Sequence, residues 1–549
     1  MNVAEAVGQA LVRVGVDRVF GVVGSGNFHV TNAMARSGAR FVAARHESGA
    51  ATMADAYARM SGRVAAVSVH QGCGLTNAMT GITEAAKSRT PVVVLAAEVE
   101  QPRSNFYVDQ AALARSVGAV SARVTSPETA VDEACAAVAT ALHERRTVVL
   151  NLPLQVQSLE AVEATAALPV PPRPVQPSAR DLAALVEVLR RAERPVFVAG
   201  RGARGAGCRE TLENLAHRCG ALVATSAVAR GLFSGNPWSL DVSGGFASPT
   251  AADLVRGADL VLGWGCALNM WTMRHGRLIA PGATVVQVDL DRDALGQHRE
   301  IHLGVVGDVR ETAQAAAEAL GDEAGTPPTG YRTADVRERI EAGVRWRDVP
   351  YDDTGSDSGG LIDPRTLSIA LDDLLPRERV LSIDSGNFMG YPSMFLSVPD
   401  EWGFCFTQAF QSIGLGLSTA IGAALAQPHR LPVAALGDGG ALMSAAELDT
   451  VVRLSLPMLV VVYNDEAYGA EVHHFGPQGF PLDTVSFPPT DIAAIARGYG
   501  FEALTVRRVE DLDQVTKWVA GDRDRPLLLD AKVTSDRGAW WLEEAFRGH

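Results

Sequence analysis

The segment ALGDGGALMSAAELDTVVRLSLPMLVVVYNDEAYG, residues 435–469, decides how the fold is read. A short apolar strand stops at Gly437, and Asp438-Gly439-Gly440 stands where a helix begins. After a parallel strand, consecutive glycines let the backbone approach a phosphate. The next helical turn offers free N–H groups and the positive end of its dipole. A second apolar run, residues 456–463, ends at Asn464-Asp465, which puts Asp465 27 positions beyond Asp438. A helix joining two such strand ends brings both carboxylates to one edge of a sheet, where they can bridge a hard cation to a diphosphate. Alone, GDG favours an ordinary strand-to-helix turn; the matched strand ends and the helix between them favour the metal and diphosphate site.

Outward from this segment, strand-like runs alternate with helical patterns along the whole chain. They fall at 18–23, 40–44, 64–69, 91–96 and 147–150, then 195–199, 260–262 and 284–289, and finally 380–383, 433–436, 458–463 and 526–531. Such alternation predicts an α/β protein with parallel sheets wrapped by helices. The proline-rich LPVPPRPVQP at 168–177 is a linker signal, and a second lies between about 321 and 360, where TPPTG and DDTGSDSGG flank a helix expected at 335–347. Three doubly wound parallel-sheet domains result, at 1–167, 178–321 and 361–549. The first and third are alike in length and alternation, as two related domains separated by an inserted one.

The chain has 549 residues, 47% hydrophobic and 20% charged, as expected of a folded enzyme and too apolar for general disorder. A formal net charge of −14 argues against a broad nucleic-acid or anionic-membrane surface. Six cysteines without a CxxC pair indicate neither a zinc ribbon nor a disulfide framework. The N-terminal MNVAEAVGQALVRVGV reads as an amphipathic helix and not a signal peptide, so a cytoplasmic location is expected. GRGARG at 200–205 does not match G-x-G-x-x-G, which weakens an NAD-dependent dehydrogenase and leaves an ordinary strand-to-helix turn.

The GDGG segment resembles the thiamine-diphosphate enzymes of the pyruvate decarboxylase, benzoylformate decarboxylase and acetolactate synthase superfamily, over nearly the whole chain. The resemblance implies a pyrimidine-binding first domain, a central Rossmann-like domain and a diphosphate-binding third domain. It implies thiamine diphosphate and Mg²⁺ as cofactors, with Gly437, Asp438, Gly439, Gly440, Asp465 and Tyr468 binding the cofactor. The metal would be held by Asp438, Asp465 and the backbone carbonyl of Ala467. Where that family has a second asparagine, this chain has Asp465, which keeps an oxygen ligand and adds a charge.

ARHESGAATMADAYARMSGR, residues 44–63, resembles the family's HEQGA segment with serine in place of glutamine. Glu47 is thereby the candidate activator: a carboxylate bonded to the pyrimidine N1′ lets the 4′-imino group take the thiazolium C2 proton and form the ylid. Its plain alternative is a charge favoured at a helix start. In FTQAFQSIGLGLSTAIGAALA, residues 406–426, Ile413 aligns with the bulky residue that bends the cofactor, and the Gln411 carbonyl with the acceptor of the 4′-amino group. Asn387 in SIDSGNFMGY would lie beside the cofactor. Because this family builds each site from two subunits, a homodimer or a dimer of dimers is implied.

Protonation of the enamine releases an aldehyde, and attack on a second carbonyl makes a new bond. Groups near C2 decide between them. Ser25 and His70 resemble the carboxylate- and proton-handling pair of benzoylformate decarboxylase, and Glu471 matches the glutamate of pyruvate and indolepyruvate decarboxylases. His29, His473 and His474 are weaker candidates, each equally an exposed polar residue. The arginine- and aspartate-rich stretch of flavin-containing acetolactate synthases is absent at GWGCALNMWTMRHG, which argues against FAD. The expected function is a 2-oxo acid decarboxylase or decarboxylating carboligase, acetolactate synthase-like; the alternative is a catalytically silent binding or regulatory protein that keeps the fold.

Overall fold

The computed structural model describes residues 1–321, 329–355 and 360–545. Part of the expected second linker, residues 322–328 and 356–359, lies outside the described residues. The chain forms three parallel six-stranded sheets flanked by helices.

The first sheet contains β1 (Arg18–Gly21), β2 (Arg40–Ala43), β3 (Ala65–Val69), β4 (Val92–Glu98), β5 (Val120–Arg123) and β6 (Thr147–Pro153), in spatial order β2-β1-β3-β4-β6-β5. The central sheet contains β7 (Pro195–Ala199), β8 (Leu222–Thr225), β9 (Ser239–Val242), β10 (Leu260–Trp264), β11 (Thr284–Asp289) and β12 (Leu303–Val306), in order β12-β11-β10-β7-β8-β9. That is the doubly wound order of dinucleotide-binding folds. The third sheet contains β13 (Arg379–Ile383), β14 (Phe404–Phe406), β15 (Leu431–Gly437), β16 (Leu459–Asn464), β17 (Glu502–Val506) and β18 (Leu527–Lys532), in order β14-β13-β15-β16-β18-β17. Strand for strand, this repeats the order of the first sheet.

Interior strands such as β3 and β16 are buried along their whole length, which explains their near-continuous apolar sequence. The unforeseen strands β5, β9, β12, β14 and β17 are sheet edges, and the interior β8 is only four residues long. The helix expected at 335–347 stops at Gly343, and a separate 3₁₀ turn covers Trp346–Asp348. GRGARG forms a 3₁₀ turn after β7, with Gly200 and Gly202 packed tightly against Gly265.

The first and third domains share one apolar core, bridged by the helices Glu47–Ser61 and Gly416–Ala426. Their facing surfaces are rich in alanine and glycine, so the backbones come close. A Cβ at Gly422 would overlap the Met53 carbonyl oxygen and stand 2.9 Å from the Ala56 Cβ. Ligands in open α/β sheets collect beyond the carboxyl ends of the strands, where the order reverses. In both like sheets that point falls between the first strand and the third: β1 and β3 in one, β13 and β15 in the other.

Candidate active site

At the carboxyl edge of the third sheet, Gly437 on β15 pairs with Tyr463 on β16, so the turns that follow the two strands are neighbours. The Asn464 side chain donates to the buried Asp530 at 2.8 Å and is thereby turned into the sheet. Asp465 is left at the edge. Burial raises the Asp465 carboxyl to about 7, and the charge of Asp438 adds to the effect. Burial likewise raises Asp438 to about 6, against the lowering influence of backbone N–H bonds and the Lys532 charge. Two carboxylates, one buried and one half-buried, that resist ionising together form an arrangement that a divalent cation relieves. Among the described residues no group of three His, Cys, Asp or Glu side chains is placed to hold a metal. A cation here would therefore need carbonyl and ligand oxygens besides these two carboxylates.

Glycine is required at several points of this edge. A Cβ at Gly439 would stand 2.7 Å from the Tyr468 ring, and one at Gly440 would run into the Asp384 carboxylate. A Cβ at Gly469 would collide with Asp465 and lie 3.3 Å from the Asn387 Cβ, which places Asn387 beside the candidate metal ligand. The Asn387 side-chain oxygen is already occupied, accepting from the Ala539 N–H at 2.9 Å. Residues 466–468 are held against 485–487 by the bonds Tyr468 N–H to Val485 O and Phe487 N–H to Glu466 O, both 2.8 Å. Ala467 thereby pairs with Ser486. A cleft of about 310 Å³ opens here, lined by Asp438, Gly439, Asn464, Tyr468 and Phe487 among others. All its lining residues belong to the third domain, and Asp465 lies outside the lining.

Gln411 and Ile413 lie in the turn between β14 and the helix Gly416–Ala426. Gln411 takes a left-handed backbone, φ +61, an uncommon conformation for a side-chain-bearing residue that points to a functional constraint. The turn is fixed by Asp384, fully buried at the end of β13, whose carboxylate accepts the Gly414 and Leu415 N–H groups at 3.0 and 3.2 Å. Burial raises the Asp384 carboxyl to about 6, while these bonds favour its charged form. Sequence reasoning missed Asp384, although its signal, an aspartate and a glycine just past a strand, is the one that identified Asp438.

The first domain carries a second cluster. Glu47 opens the helix Glu47–Ser61, whose N-cap His46 accepts the Ser48 N–H through its Nδ1 at 3.1 Å. The Glu47 carboxylate is half-buried and accepts from the Asn77 side chain at 3.1 Å. Ser25 is exposed in the turn after β1, and His70 follows β3. The next residue of that turn, Gly26, donates its N–H to His70 Nδ1 at 3.2 Å. Burial lowers the His70 imidazole below its ordinary value, and the nearby Glu47 charge partly offsets this. With Nδ1 accepting, neutral His70 carries its proton on Nε2.

The structure thus gathers Ser25, His70 and Glu47 in the first domain, and Asp438, Asp465, Tyr468, Asn387, Gln411 and Ile413 in the third. Glu471 lies on the short helix Gly469–Phe475 beside Asp465, outside the cleft lining. His29 is exposed, and His473 packs toward Gly538 in the C-terminal segment. Large apolar side chains stand exposed around both clusters: Phe28 at 53% and Phe106 at 43% in the first, Met443 at 57% and Phe487 at 41% in the third.

Residues 1–117 match the thiamine pyrophosphate enzyme N-terminal TPP binding domain, 182–316 the central domain and 384–531 the C-terminal TPP binding domain. Relatives include a probable 2-ketoarginine decarboxylase of Pseudomonas aeruginosa, 30% identical over 93% of this chain and 90% of that protein. A sulfoacetaldehyde acetyltransferase of Castellaniella defragrans is 29% identical over 94% of this chain and 90% of its own length. An acetolactate synthase large subunit of Parasynechococcus marenigrum is 27% identical over 92% and 83%. Among solved structures, the thiamine diphosphate-dependent 4-hydroxybenzoylformate decarboxylase of Rhodococcus jostii has the same fold, with a TM-score of 0.81 at 22% identity, over 98% of this chain and 100% of that one.

Proposed function

Since the chain belongs to the thiamine pyrophosphate enzymes, we propose that it decarboxylates a 2-oxo acid and then either protonates the remaining fragment or transfers it to a second carbonyl. The close pair of carboxylates, buried Asp438 and half-buried Asp465, beside a glycine turn at the ends of adjacent strands carries this assignment. They fit a diphosphate that would be bound through Mg²⁺, with the Ala467 carbonyl as a third protein ligand, on a turn kept tight by glycines 437, 439 and 440 against Phe388, Tyr468 and Asp384. When bound, the coenzyme supplies a nucleophilic thiazolium carbon and accepts the electron pair left by departing CO₂.

The remaining chemistry falls to side chains of the chain. Glu47, held by Asn77, would hydrogen-bond the pyrimidine nitrogen and supply the carboxylate that activates the coenzyme. The Gln411 carbonyl and Ile413 would hold the pyrimidine side of the coenzyme, and Asn387 and Tyr468 its metal-bound side. His70, with its proton on Nε2, and Ser25 would bind the substrate carboxylate and supply the proton that replaces CO₂. Glu471 is a second proton carrier from the third-domain side.

The third-domain cleft contains no first-domain residue, and both clusters are rimmed by exposed apolar side chains. Exposed apolar surface of this kind marks an interface. We infer that a second copy completes each site, Glu47 of one chain meeting Asp438 of the other, in a dimer or dimer of dimers. The pyrimidine-binding, central and diphosphate-binding domains are assigned to 1–167, 178–321 and 361–549. Among the described residues no helix is long and apolar enough to cross a membrane; a cytoplasmic setting is proposed from the cysteine usage.

The test is CO₂ release and product analysis with pyruvate, branched and aromatic 2-oxo acids, with and without an acceptor aldehyde, in the presence of thiamine diphosphate and Mg²⁺. Glu47→Gln is expected to cut turnover by about 100- to 10,000-fold while cofactor binding persists. Undiminished turnover in that variant refutes the assignment.

A further inference from the structure

Two buried glutamates outside the cofactor motifs cross the boundary between the first and third domains in opposite directions. Glu84 lies on the helix Cys73–Lys87, fully buried. Its Oε2 accepts the Phe410 N–H at 2.7 Å, and its Oε1 accepts the Ala409 N–H at 3.1 Å and the Arg59 guanidinium at 2.7 Å. Ala409 and Phe410 run directly into the Gln411–Ile413 turn. Glu447 lies just beyond the GDGG helix, 3% exposed. Its Oε1 accepts the N–H groups of Arg45 and His46 at 2.9 and 3.0 Å, the two residues that lead into Glu47, and its Oε2 accepts the Thr450 hydroxyl at 2.6 Å.

The two arrangements are counterparts under the repeated topology. Glu84 sits on the helix after the third strand of the first sheet, and Glu447 in the helical stretch after the third strand of its twin. Each holds the chain that enters the helix after the second strand of the opposite domain, which is where Glu47 and Gln411 stand. Buried carboxylates are costly unless fully bonded. Both of these direct their bonding to backbone N–H groups one or two residues short of a cofactor contact.

We propose that Glu84 and Glu447 are reciprocal positioning residues: Glu84 sets the turn that holds the pyrimidine, and Glu447 sets the residue that activates it. This rests on the thiamine diphosphate assignment above. Because a chain's Glu47 and its Gln411 turn serve different centres of the dimer, the pair also ties those centres together through one subunit. Asn77, which holds Glu47, lies on the same helix as Glu84 and two turns before it.

Bond accounting separates the two glutamates. Both oxygens of Glu84 accept from N–H donors, so an amide at this position sets its own NH₂ against one of them. A glutamine at 447 keeps its oxygen on Arg45 and His46 and can donate to the Thr450 hydroxyl.

Amide hydrogen exchange on the cofactor-free protein reads this directly. In Glu84→Gln, a peptide spanning 407–415 is expected to exchange about tenfold faster or more, with 40–50 unchanged. In Glu447→Ala, 40–50 loosens and 407–415 does not, while Glu447→Gln stays near wild type in both. At saturating thiamine diphosphate and Mg²⁺, Glu84→Gln also slows exchange of the bound coenzyme's C2 proton by about tenfold or more. Unchanged protection at 407–415, or equal loosening of both peptides, overturns the proposal. If Glu84→Gln does not fold, the Glu447→Ala pattern decides in the same way. Glu47→Gln is the control for the assignment underneath: C2 exchange at the wild-type rate in that variant removes the cofactor reading but leaves the peptide patterns as the measure of the two struts.

Discussion

Gly422 and Gly498 are both helix glycines, and replacing each by alanine separates packing from intrinsic propensity. At Gly422 a Cβ meets the Met53 carbonyl and stands 2.9 Å from the Ala56 Cβ, on the face where the helix Gly416–Ala426 packs on Glu47–Ser61. At Gly498, exposed on the helix Ile492–Tyr499, nothing lies within 4 Å. Alanine is favoured over glycine by about 1 kcal/mol inside a helix, so Gly498→Ala should stabilise by up to that amount. Gly422→Ala gains the same propensity but must push the helices about 1 Å apart to reach ordinary contact, an overpacking cost of about 1–3 kcal/mol. Propensity cancels between the two variants, which leaves a difference of about 1–3 kcal/mol. For a domain of this size each kcal/mol moves the melting temperature by about 2–4 °C, so thermal unfolding should place Gly422→Ala several degrees below Gly498→Ala. Turnover should fall only in Gly422→Ala, because the displaced partner helix begins at Glu47 and small misplacements are costly. Equal melting temperatures, or a Gly422→Ala protein more stable than wild type, would refute the close-packing argument.

Two further predictions concern charge. Asp465 is raised to about 7 from an ordinary 3.8, so in metal-free protein the folded state holds a proton that the unfolded state has released; stability is present below 3.8 and is lost as pH climbs toward 7. Asp465→Asn removes that loss, and metal-free protein at pH 8 should melt higher than wild type while needing more Mg²⁺ to retain thiamine diphosphate; a lower melting point would contradict the buried charge pair. His70 is shifted the other way, below 6.5, so its contribution is full above 6.5 and fades as pH falls through the lower folded value, where a proton on Nδ1 breaks the bond from Gly26. His70→Asn should flatten the acid side of a melting-temperature profile between pH 8 and 5, and an unchanged slope would mean that this imidazole does not titrate there.

What could be read from the sequence followed from where each signal resides. Strand ends carrying glycine and aspartate announce themselves locally, which is why the fold class, and the placing of Asp438 and Asp465 at neighbouring strand ends, could be read from the sequence. Edge strands other than β2 were not: β5 and β17 are partly exposed, so their residues lack the continuous apolar run that marks β3 or β16. Glu84 and Glu447 carry no motif. Each reads as a lone acidic residue on a helix, ordinarily a solvated one, and its burial arises only when the other domain supplies backbone donors some 325 and 401 positions away in sequence. Asp384 lay between these cases, with a local signal and a partner turn 30 positions downstream.

The repeated strand order gives the site its logic. Ser25 and His70 follow the first and third strands of one sheet, as Asp384 and Asp438 follow the first and third strands of its twin. Glu47 opens the helix after the second strand, and Gln411 and Ile413 lie just ahead of the corresponding helix in the other domain. Each domain therefore offers the same crevice, filled in one with proton-handling groups and in the other with glycines and carboxylates suited to a metal-bound diphosphate. On the proposed assignment, a coenzyme with a base at one end and a diphosphate at the other would be met by two copies of one fold whose matching loops suit its two ends. The helices that follow the second strands, Glu47–Ser61 and Gly416–Ala426, pack closely against each other, so on the proposed assignment a displacement at that seam reaches one end of each of the two coenzymes its subunit serves.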